Sequence, residues 1–294
     1  MSKYAFLDDQ FANLSSLVDR VHEHKEQKKY TDRWSRIYID TFKAGDNNDV
    51  YKWDFRIHKS LKEVFTSACF YEESLISKES GSWASFYFLS YYSLFHALMS
   101  CVVLLPSESI ESLSKITHSK IIKVFKSNFC DQKPHIISPD IDDVFYMLKY
   151  MREYYSYYMP TNDFLYNSDD TIKPDEKLIQ LIRACSQLAG LHSEIIEKCF
   201  YKHGKIHKGI LTTTLRNWYG ELNCPKHPKT GEHILHFSDQ LKISETNLTP
   251  EVRSFSILLE HFIDEFRCYE GAQLPKFSNG TSTNPSKLVY NMLR

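Results

Sequence analysis

Four residues in the last third of the sequence have the side chains and the spacing of zinc ligands: Cys224, His227, His233 and His236. Thiolate and imidazole suit Zn²⁺, and the two residues between the first pair match zinc-finger spacing. His233 and His236, however, lie in a stretch that is typical of a strand, where side chains three positions apart point to opposite faces. The loop also offers only one thiolate. We therefore favour a solvated hairpin over a metal site, and we expect no cofactor.

Tyrosines that could contact unpaired bases are concentrated between residues 150 and 158. Aromatic rings stack on the bases of single-stranded RNA, which makes Tyr154 and Tyr155 candidate RNA-binding residues. Tyrosine is equally at home in a core or at a dimer interface. Because acidic rather than basic residues precede this stretch, we favour the core and interface interpretation.

The most basic stretch of the chain follows Tyr201 and contains Lys202, Lys205 and Lys208. Lysines grouped in this way can contact phosphates. They can also form the solvated end of a helix, since cations are favoured at helix C-termini. Both interpretations stay open at this point.

The composition indicates the fold class, the affinity for nucleic acid and the redox state of the cysteines. The 294 residues include only 9 glycines and 10 prolines, which favours helices over a turn-rich β fold. The net charge of −1 provides no overall field that would draw the chain to nucleic acid, so any RNA contact requires a local patch. Seven cysteines, an odd number, are scattered along a chain without a signal peptide, which predicts reduced thiols in a cytoplasmic protein.

The stretch from Trp83 to Leu105 contains no Asp, Glu, Lys or Arg, and it is the element around which the others must pack. Its length would suffice for a membrane span. It nevertheless carries several serines and His96, and no cluster of basic residues flanks it as an orientation signal. We therefore predict the buried central helix of a soluble bundle, with its hydroxyls and imidazole paired inside, and no membrane contact.

The sequence predicts an all-α protein in three parts. Residues 1–49 form an N-terminal helical extension, residues 50–203 form a helical bundle, and residues 204–294 form a C-terminal region. We expect helices at 3–28, 50–77, 83–105, 116–127, 141–158 and 176–202, and a second short element rich in aromatic residues at 31–44. In the C-terminal region we expect a small β-hairpin of residues 233–237 and 240–243, a helix that begins at Pro250, and a mobile tail over 271–286.

Three segments resemble motifs of the HEPN superfamily, in the form found in small prokaryotic proteins of toxin and defence systems. Residues 91–98, YYSLFHAL, are similar to the family's "YYAxFHAA" helix. Residues 117–125 are similar to its short segment with a conserved His, and residues 152–157 are similar to its "R-x-x-A-D-Y" helix end. The order and the spacing both fit, and the resemblance covers roughly residues 50–203.

The resemblance implies a metal-independent ribonuclease site, in which an Arg and a His four to six residues apart come from each of two protomers. Arg152 matches the Arg, which would stabilise phosphate charge. Tyr157 stands where the His is expected, and a phenol is a poor general base at neutral pH. His96 and His118 are the imidazoles that could replace it. Arg152 could instead pair with a carboxylate such as Glu72 or Glu73.

The resemblance thus leaves two functions open. The first is an RNA-directed effector, an endoribonuclease of a toxin–antitoxin or phage-defence system, acting as a homodimer and with RNA and an antitoxin or another protein as partners. The second is a non-catalytic HEPN module that serves as a binding or assembly subunit, which the incomplete Arg–His motif favours.

Overall fold

The structure is a computed structural model that describes residues 14–45, 48–158, 174–205 and 212–255. Within these ranges the regular structure is helical, and the one β feature is an isolated antiparallel bridge between Lys226 and His233. The all-α prediction is therefore confirmed. The helices are α1 Ser15–Val18, α2 His24–Ala44, α3 Asp49–Glu79, α4 Trp83–Val102, α5 Ile110–Ser114, α6 His118–Phe125, α7 Ile141–Glu153, α8 Pro174–His203, α9 Thr212–Asn223 and α10 Phe237–Leu248.

Helices α3 and α4 form an antiparallel hairpin at the centre of the bundle, and α4 also packs against α6, α7 and α8. Gly81 makes the sharp turn between them with φ of +74°, a conformation that glycine adopts without steric cost. The serines of α4 pair across the hairpin. Ser60 Oγ donates to the Ser100 carbonyl at 2.6 Å, and Ser67 and Ser93 donate to each other's carbonyls at 2.7–2.8 Å. The prediction of a mostly buried central helix is confirmed. The hydroxyls of Ser93 and Ser100 are paired, whereas the buried Ser90 hydroxyl has no hydrogen-bond partner among the described residues.

The length of this helix would also suit a membrane span. Across the part of the chain that the structure describes, no helix combines the length and the apolar character needed to cross a bilayer.

A buried arginine closes the C-terminal end of α4. Arg56 of α3 is 1% exposed. Its Nη1 donates to the carbonyls of Val103 and Leu105 at 2.9 and 2.8 Å, and its Nη2 donates to the carbonyl of Glu108. Val103 is the C-cap of α4, whose carbonyl has no partner within the helix, and Leu105 and Glu108 lie in the turn that follows. One guanidinium therefore links the helix end to this turn. The guanidinium also lies 5.1 Å from the Trp53 ring, a cation–π contact that helps to hold a cation inside the core.

The N-terminal extension is joined to the bundle through a buried imidazole. Tyr38 of α2 donates its hydroxyl to the Leu104 carbonyl at 3.1 Å and lies 2.8 Å from Nδ1 of His192 on α8. Since that hydroxyl proton is engaged, Nδ1–H donates to the Tyr38 oxygen, and Nε2 accepts from the Tyr30 hydroxyl at 2.8 Å. Burial, with Arg33 nearby, lowers the pKa of His192 to about 3, so the ring is neutral as this pattern requires.

Residues 212–255 pack on α3 through buried ion pairs as well as apolar contacts. Lys62 contacts both carboxylate oxygens of Asp239 at 2.7 and 3.0 Å, and the Thr246 hydroxyl donates to Asp54 at 2.6 Å. Lys59 donates to the Leu222 carbonyl at 2.9 Å. Burial raises the pKa of Asp54, and Lys242 and the Thr246 hydroxyl oppose this shift.

The predicted β-hairpin is wrong over its second strand. Residues 240–243 lie inside α10, because Asp239, Ile243 and Thr246 share one helical face that is buried against the rest of the protein. Asp239 and Thr246 are polar, so the buried face of α10 does not show the apolar periodicity from which a helix is predicted. Lys226 and His233 form only the isolated bridge.

Two helix predictions outside the bundle also differ from the structure. The helix predicted over 3–28 is interrupted at residues 19–23, where the chain turns between α1 and α2 so that both pack on α8. The helix predicted from Pro250 does not begin there, since residues 251–255 are not helical. Residues 3–13 of the first prediction, residues 256–266 of the second and the tail at 271–286 lie outside the described residues.

Candidate functional site

The Cys/His residues of the C-terminal region do not converge on one point. His233 Nδ1 lies 2.8 Å from the Cys224 carbonyl, and His227 Nδ1 accepts from the backbone amides of Lys229 and Thr230 at 3.3 Å. Both imidazoles are thus engaged by the backbone of the turn between Cys224 and His233. Among the described residues, no group of three or more His, Cys, Asp or Glu side chains could hold a metal ion, and this applies to Cys224, His227, His233 and His236.

The predicted basic patch is spread over the end of α8. Lys202 is exposed, and Lys205 donates to the Gly45 carbonyl at 3.2 Å. Lys208 lies outside the described residues. Lys205 is therefore held against the loop after α2, so its main contact is within the protein.

The tyrosines after residue 150 divide into a buried and an exposed group. Tyr155 is 8% exposed and stacks on Tyr87 of α4 at 5.2 Å, which agrees with the core interpretation and leaves this ring buried away from any RNA base. Tyr154 is half-buried and lies between Tyr150 and Tyr158, with ring centroids 6.1 and 6.3 Å away. The outer rings of this exposed tyrosine ladder, Tyr150 and Tyr158, are 55% and 75% exposed.

Arg152 lies against two tyrosine rings of the central helix. Its guanidinium carbon is 4.7 Å from the centroid of Tyr91 and 5.9 Å from that of Tyr92. Nη2 contacts Glu153 Oε1 at 3.1 Å. The carboxylate partner is thus the neighbour in sequence and not Glu72 or Glu73. With 16% of its side chain exposed, the guanidinium keeps access to solvent while the aromatic rings fix its plane.

His118 of α6 contacts the same two tyrosines, Tyr91 and Tyr92. It is the first residue of α6, and Thr117 caps that helix by accepting from the Lys120 amide at 3.2 Å. His118 Nδ1 is 2.5 Å from the Tyr91 hydroxyl. The imidazole stacks near Tyr91 at 5.4 Å and meets Tyr92 edge-on at 5.8 Å. Arg152 and His118 therefore share Tyr91 and Tyr92, and we call these four residues the Arg–His cluster.

The electrostatics of the Arg–His cluster keep its imidazole neutral at pH 7. Burial lowers the pKa of His118, and the positive charges of Arg152 and Lys149 lower it further, while Glu153 opposes them. Burial raises the pKa of Tyr91 despite the nearby Arg152, so its hydroxyl keeps its proton. The cluster thus combines one fixed positive charge with a neutral imidazole.

Two further predicted catalytic residues fall elsewhere. Nδ1 of His96 lies 2.5 Å from Glu63 Oε2, and Glu63 also contacts Lys59 at 2.5 Å, so His96 belongs to a buried charge network. Tyr157 is 75% exposed on the π-helical turn Tyr154–Tyr158 that follows α7. His96 also contacts the Tyr92 ring at 6.5 Å, but His118 is the candidate imidazole that contacts both Tyr91 and Tyr92, the tyrosines that hold Arg152.

Sequence reasoning overlooked Tyr91, Tyr92 and Glu153 as parts of the site. The two tyrosines begin the segment that resembles the HEPN helix, which would have been the available signal. Glu153 follows Arg152 directly, and adjacent residues of a regular helix point in different directions, which made this pair unexpected.

The Arg–His cluster has the chemistry of an anion site. A guanidinium presents planar donors that suit phosphate, and a neutral imidazole can either accept a proton or donate one N–H, depending on which nitrogen carries the hydrogen. In comparisons with known proteins, no family model, no curated protein and no solved structure matches this chain.

Proposed function

We propose that this protein is a HEPN-type, RNA-directed effector that cuts RNA at the Arg–His cluster without a metal ion. The observation that carries the proposal is that Arg152 and His118, far apart in sequence, contact the same two tyrosine rings. The order of the three HEPN-like segments supports it. The setting we propose is a cytoplasmic toxin–antitoxin or phage-defence system.

The chemistry assigned to the cluster is the stabilisation of a phosphodiester as its charge increases. The Arg152 guanidinium can hold two phosphate oxygens at once, which a lysine ammonium cannot reproduce. His118 adds a neutral imidazole at the edge of the same surface. Glu153 competes for Arg152, and a bound phosphate has to displace this carboxylate, whose side chain is 41% exposed.

Replacing Arg152 with alanine is expected to reduce RNA cleavage about 100–1000-fold, the usual loss when one charge-stabilising donor is removed from such a site. Arg152→Lys should recover only part of the rate, because it keeps the charge without the planar fork. The measurement is cleavage of total RNA by the purified protein, with and without EDTA.

Arg36→Ala is the matched control, since Arg36 is an exposed arginine on α2. It should cleave at the wild-type rate, and circular dichroism should show the same helical content for all variants. Normal cleavage by Arg152→Ala would place the activity outside this site. Loss of cleavage in EDTA would contradict the metal-independent mechanism.

The alternative is a non-catalytic HEPN module that assembles with a second copy or with another protein. The exposed tyrosine ladder favours it, because exposed tyrosines are enriched at interfaces and these lie on a different face of α7 from Arg152. An absence of cleavage by the wild type under all conditions would make this the better function.

The proposed homodimer predicts a mass of about twice 34.6 kDa by light scattering. Tyr150→Glu with Tyr158→Glu should raise the dissociation constant at least ~30-fold, because a tyrosine at the centre of an interface commonly contributes about 2 kcal/mol or more. Tyr155 is unsuitable for this test, since a buried Tyr155→Glu would unfold the core.

Ile76→Glu provides the control, because Ile76 is an exposed apolar residue of α3 and is 54% exposed. It should leave the mass unchanged. A monomeric wild type would contradict the dimer, as would a tyrosine double variant that dimerises like the wild type.

A further inference from the structure

The hydroxyl of Tyr91 has one hydrogen-bond partner among the described residues, and that partner is Nδ1 of His118 at 2.5 Å. Tyr91 is buried in the wall between α4, α6 and α7, so water does not reach its side chain. A buried hydroxyl needs an acceptor, because leaving its proton unpaired costs about 1–3 kcal/mol. Nδ1 of His118 is the acceptor at hand, and it must therefore carry a lone pair and not a hydrogen.

The surroundings of the imidazole agree with this assignment. His118 stands at the first position of α6, where the positive end of the helix dipole disfavours an imidazolium. The groups that face it are Tyr91, Tyr92 and Phe95 from α4, and Lys149, Arg152 and Glu153 from α7. Two of the three charges in this set are positive, so His118 stays neutral, with a single hydrogen for its two nitrogens.

We propose that Tyr91 holds His118 as the neutral tautomer that carries its hydrogen on Nε2, and that His118 acts as an N–H donor to a phosphate oxygen beside Arg152. In this arrangement Tyr91 is a positioning residue. The phosphate donor role rests on the proposed function, whereas the tautomer does not. The imidazole then resembles an electrophilic donor more than a base, because the nitrogen with the lone pair is already occupied by Tyr91.

The tautomer can be measured directly on the ¹⁵N-labelled protein by long-range ¹H–¹⁵N spectroscopy above the pKa of His118. We expect the His118 signals of one pure form, with the hydrogen on Nε2 and Nδ1 as acceptor. Tyr91→Phe removes only the hydroxyl. The ¹⁵N chemical shift of His118 Nδ1 should then move towards the averaged value of a ring that exchanges between its two tautomers. His118→Gln identifies the signals by their loss.

Tyr87→Phe is the matched control, because Tyr87 is a buried tyrosine one turn earlier on the same helix and stacks on Tyr155. It should leave the His118 signals unchanged. A wild-type spectrum with the hydrogen on Nδ1 would overturn the inference even if Tyr91→Phe did not fold. A folded Tyr91→Phe with an unchanged spectrum would show that Tyr91 is not the cause.

The donor role has its own test, which uses a fluorescent 2′-O-methyl RNA that cannot be cut through its 2′-hydroxyl. Glutamine places an amide near the position of the imidazole Nε2, and asparagine places it near Nδ1. His118→Gln should therefore keep the affinity within about threefold, while His118→Asn and His118→Ala should lose at least about tenfold, as expected for a hydrogen bond to a charged group.

The outcomes separate the two proposals. Equal losses in His118→Gln and His118→Ala would overturn the donor role, whatever the cleavage rates are. Absence of binding by the wild type, together with a pure Nε2–H spectrum, would overturn the phosphate role and the proposed function but would confirm the tautomer. Binding that follows the expected order without any cleavage would support the donor role in a non-catalytic RNA-binding protein.

Discussion

Replacing Arg56 with methionine is expected to lower the free energy of unfolding by about 3–5 kcal/mol. Methionine keeps much of the length and packing of the side chain but removes every donor. The Val103 carbonyl would be left buried and unpaired at the end of α4, and the Leu105 carbonyl would keep only the bond from the Glu108 amide at 3.2 Å. Burial lowers the pKa of Arg56 to about 10, so the group remains charged at neutral pH and its removal also relieves some desolvation.

Urea unfolding monitored by circular dichroism measures this loss. Arg56→Lys should be intermediate, since an ammonium keeps the charge but cannot spread its donors over three separated carbonyls. The exposed Arg36→Met should change the unfolding free energy by less than about 0.5 kcal/mol. A loss below about 1 kcal/mol for Arg56→Met would mean that water satisfies the carbonyls, and the role of Arg56 as a cap would be rejected.

Glu63→Gln is expected to destabilise the protein by about 3–5 kcal/mol at pH 7, because it leaves the buried Lys59 without its counter-charge. The side chains of Lys59 and Glu63 are 9% and 6% exposed, and Nζ lies 2.5 Å from Oε1. The second oxygen contacts His96 Nδ1 at 2.5 Å. Since the buried pair is costly to desolvate, Lys59→Met with Glu63→Leu should recover most of the lost stability.

The Lys59–Glu63 pair also predicts that the stability of the protein decreases in acid. Burial alone would raise the pKa of Glu63, but Lys59 and His96 outweigh it and bring the pKa down to about 2. The folded pKa is thus below the unfolded value of about 4.3, so the contribution is complete above that value and is lost as the pH falls towards 2.

Unfolding of the wild type and of Glu63→Gln should be compared at pH 7, 4 and 2.5. The difference between them should shrink as the pH falls. Glu111→Gln, in the exposed pair with Lys115, should not change the stability. A difference that stays constant down to pH 2.5 would show that the carboxylate charge is not the cause.

The helices of the bundle could be predicted because their apolar residues recur at helical spacing and their ends carry simple signals. Thr117 caps α6, and the charge-free stretch after Gly81 can only be a buried helix or a membrane span. The helix α10 could not be predicted in this way. Its buried face includes Asp239, an acid that is buried because Lys62, on a helix distant in sequence, supplies the opposite charge.

The candidate site was predictable in its residue types but not in its geometry. Arg152 and His118 could be chosen from the resemblance, yet no pattern in the sequence favoured His118 over His96, since both are single imidazoles near apolar residues. The choice depends on Glu63, which engages His96, and on Tyr91, which engages His118. Both are tertiary contacts, formed across more than one helix, and local spacing carries no information about them.

The hydrogen bonds of His192 have a consequence for how the chain folds during synthesis. Tyr30 and His192 are separated by 162 residues, although they are neighbours in the folded core. At about 5–20 residues per second, α2 leaves the ribosome roughly 8–30 s before the helix that must cover its aromatic face. In that interval Tyr30, Trp34 and Tyr38 lack their native contacts with His192 of α8. Docking of the N-terminal extension is therefore a late step of folding, and it completes only when α8 has emerged.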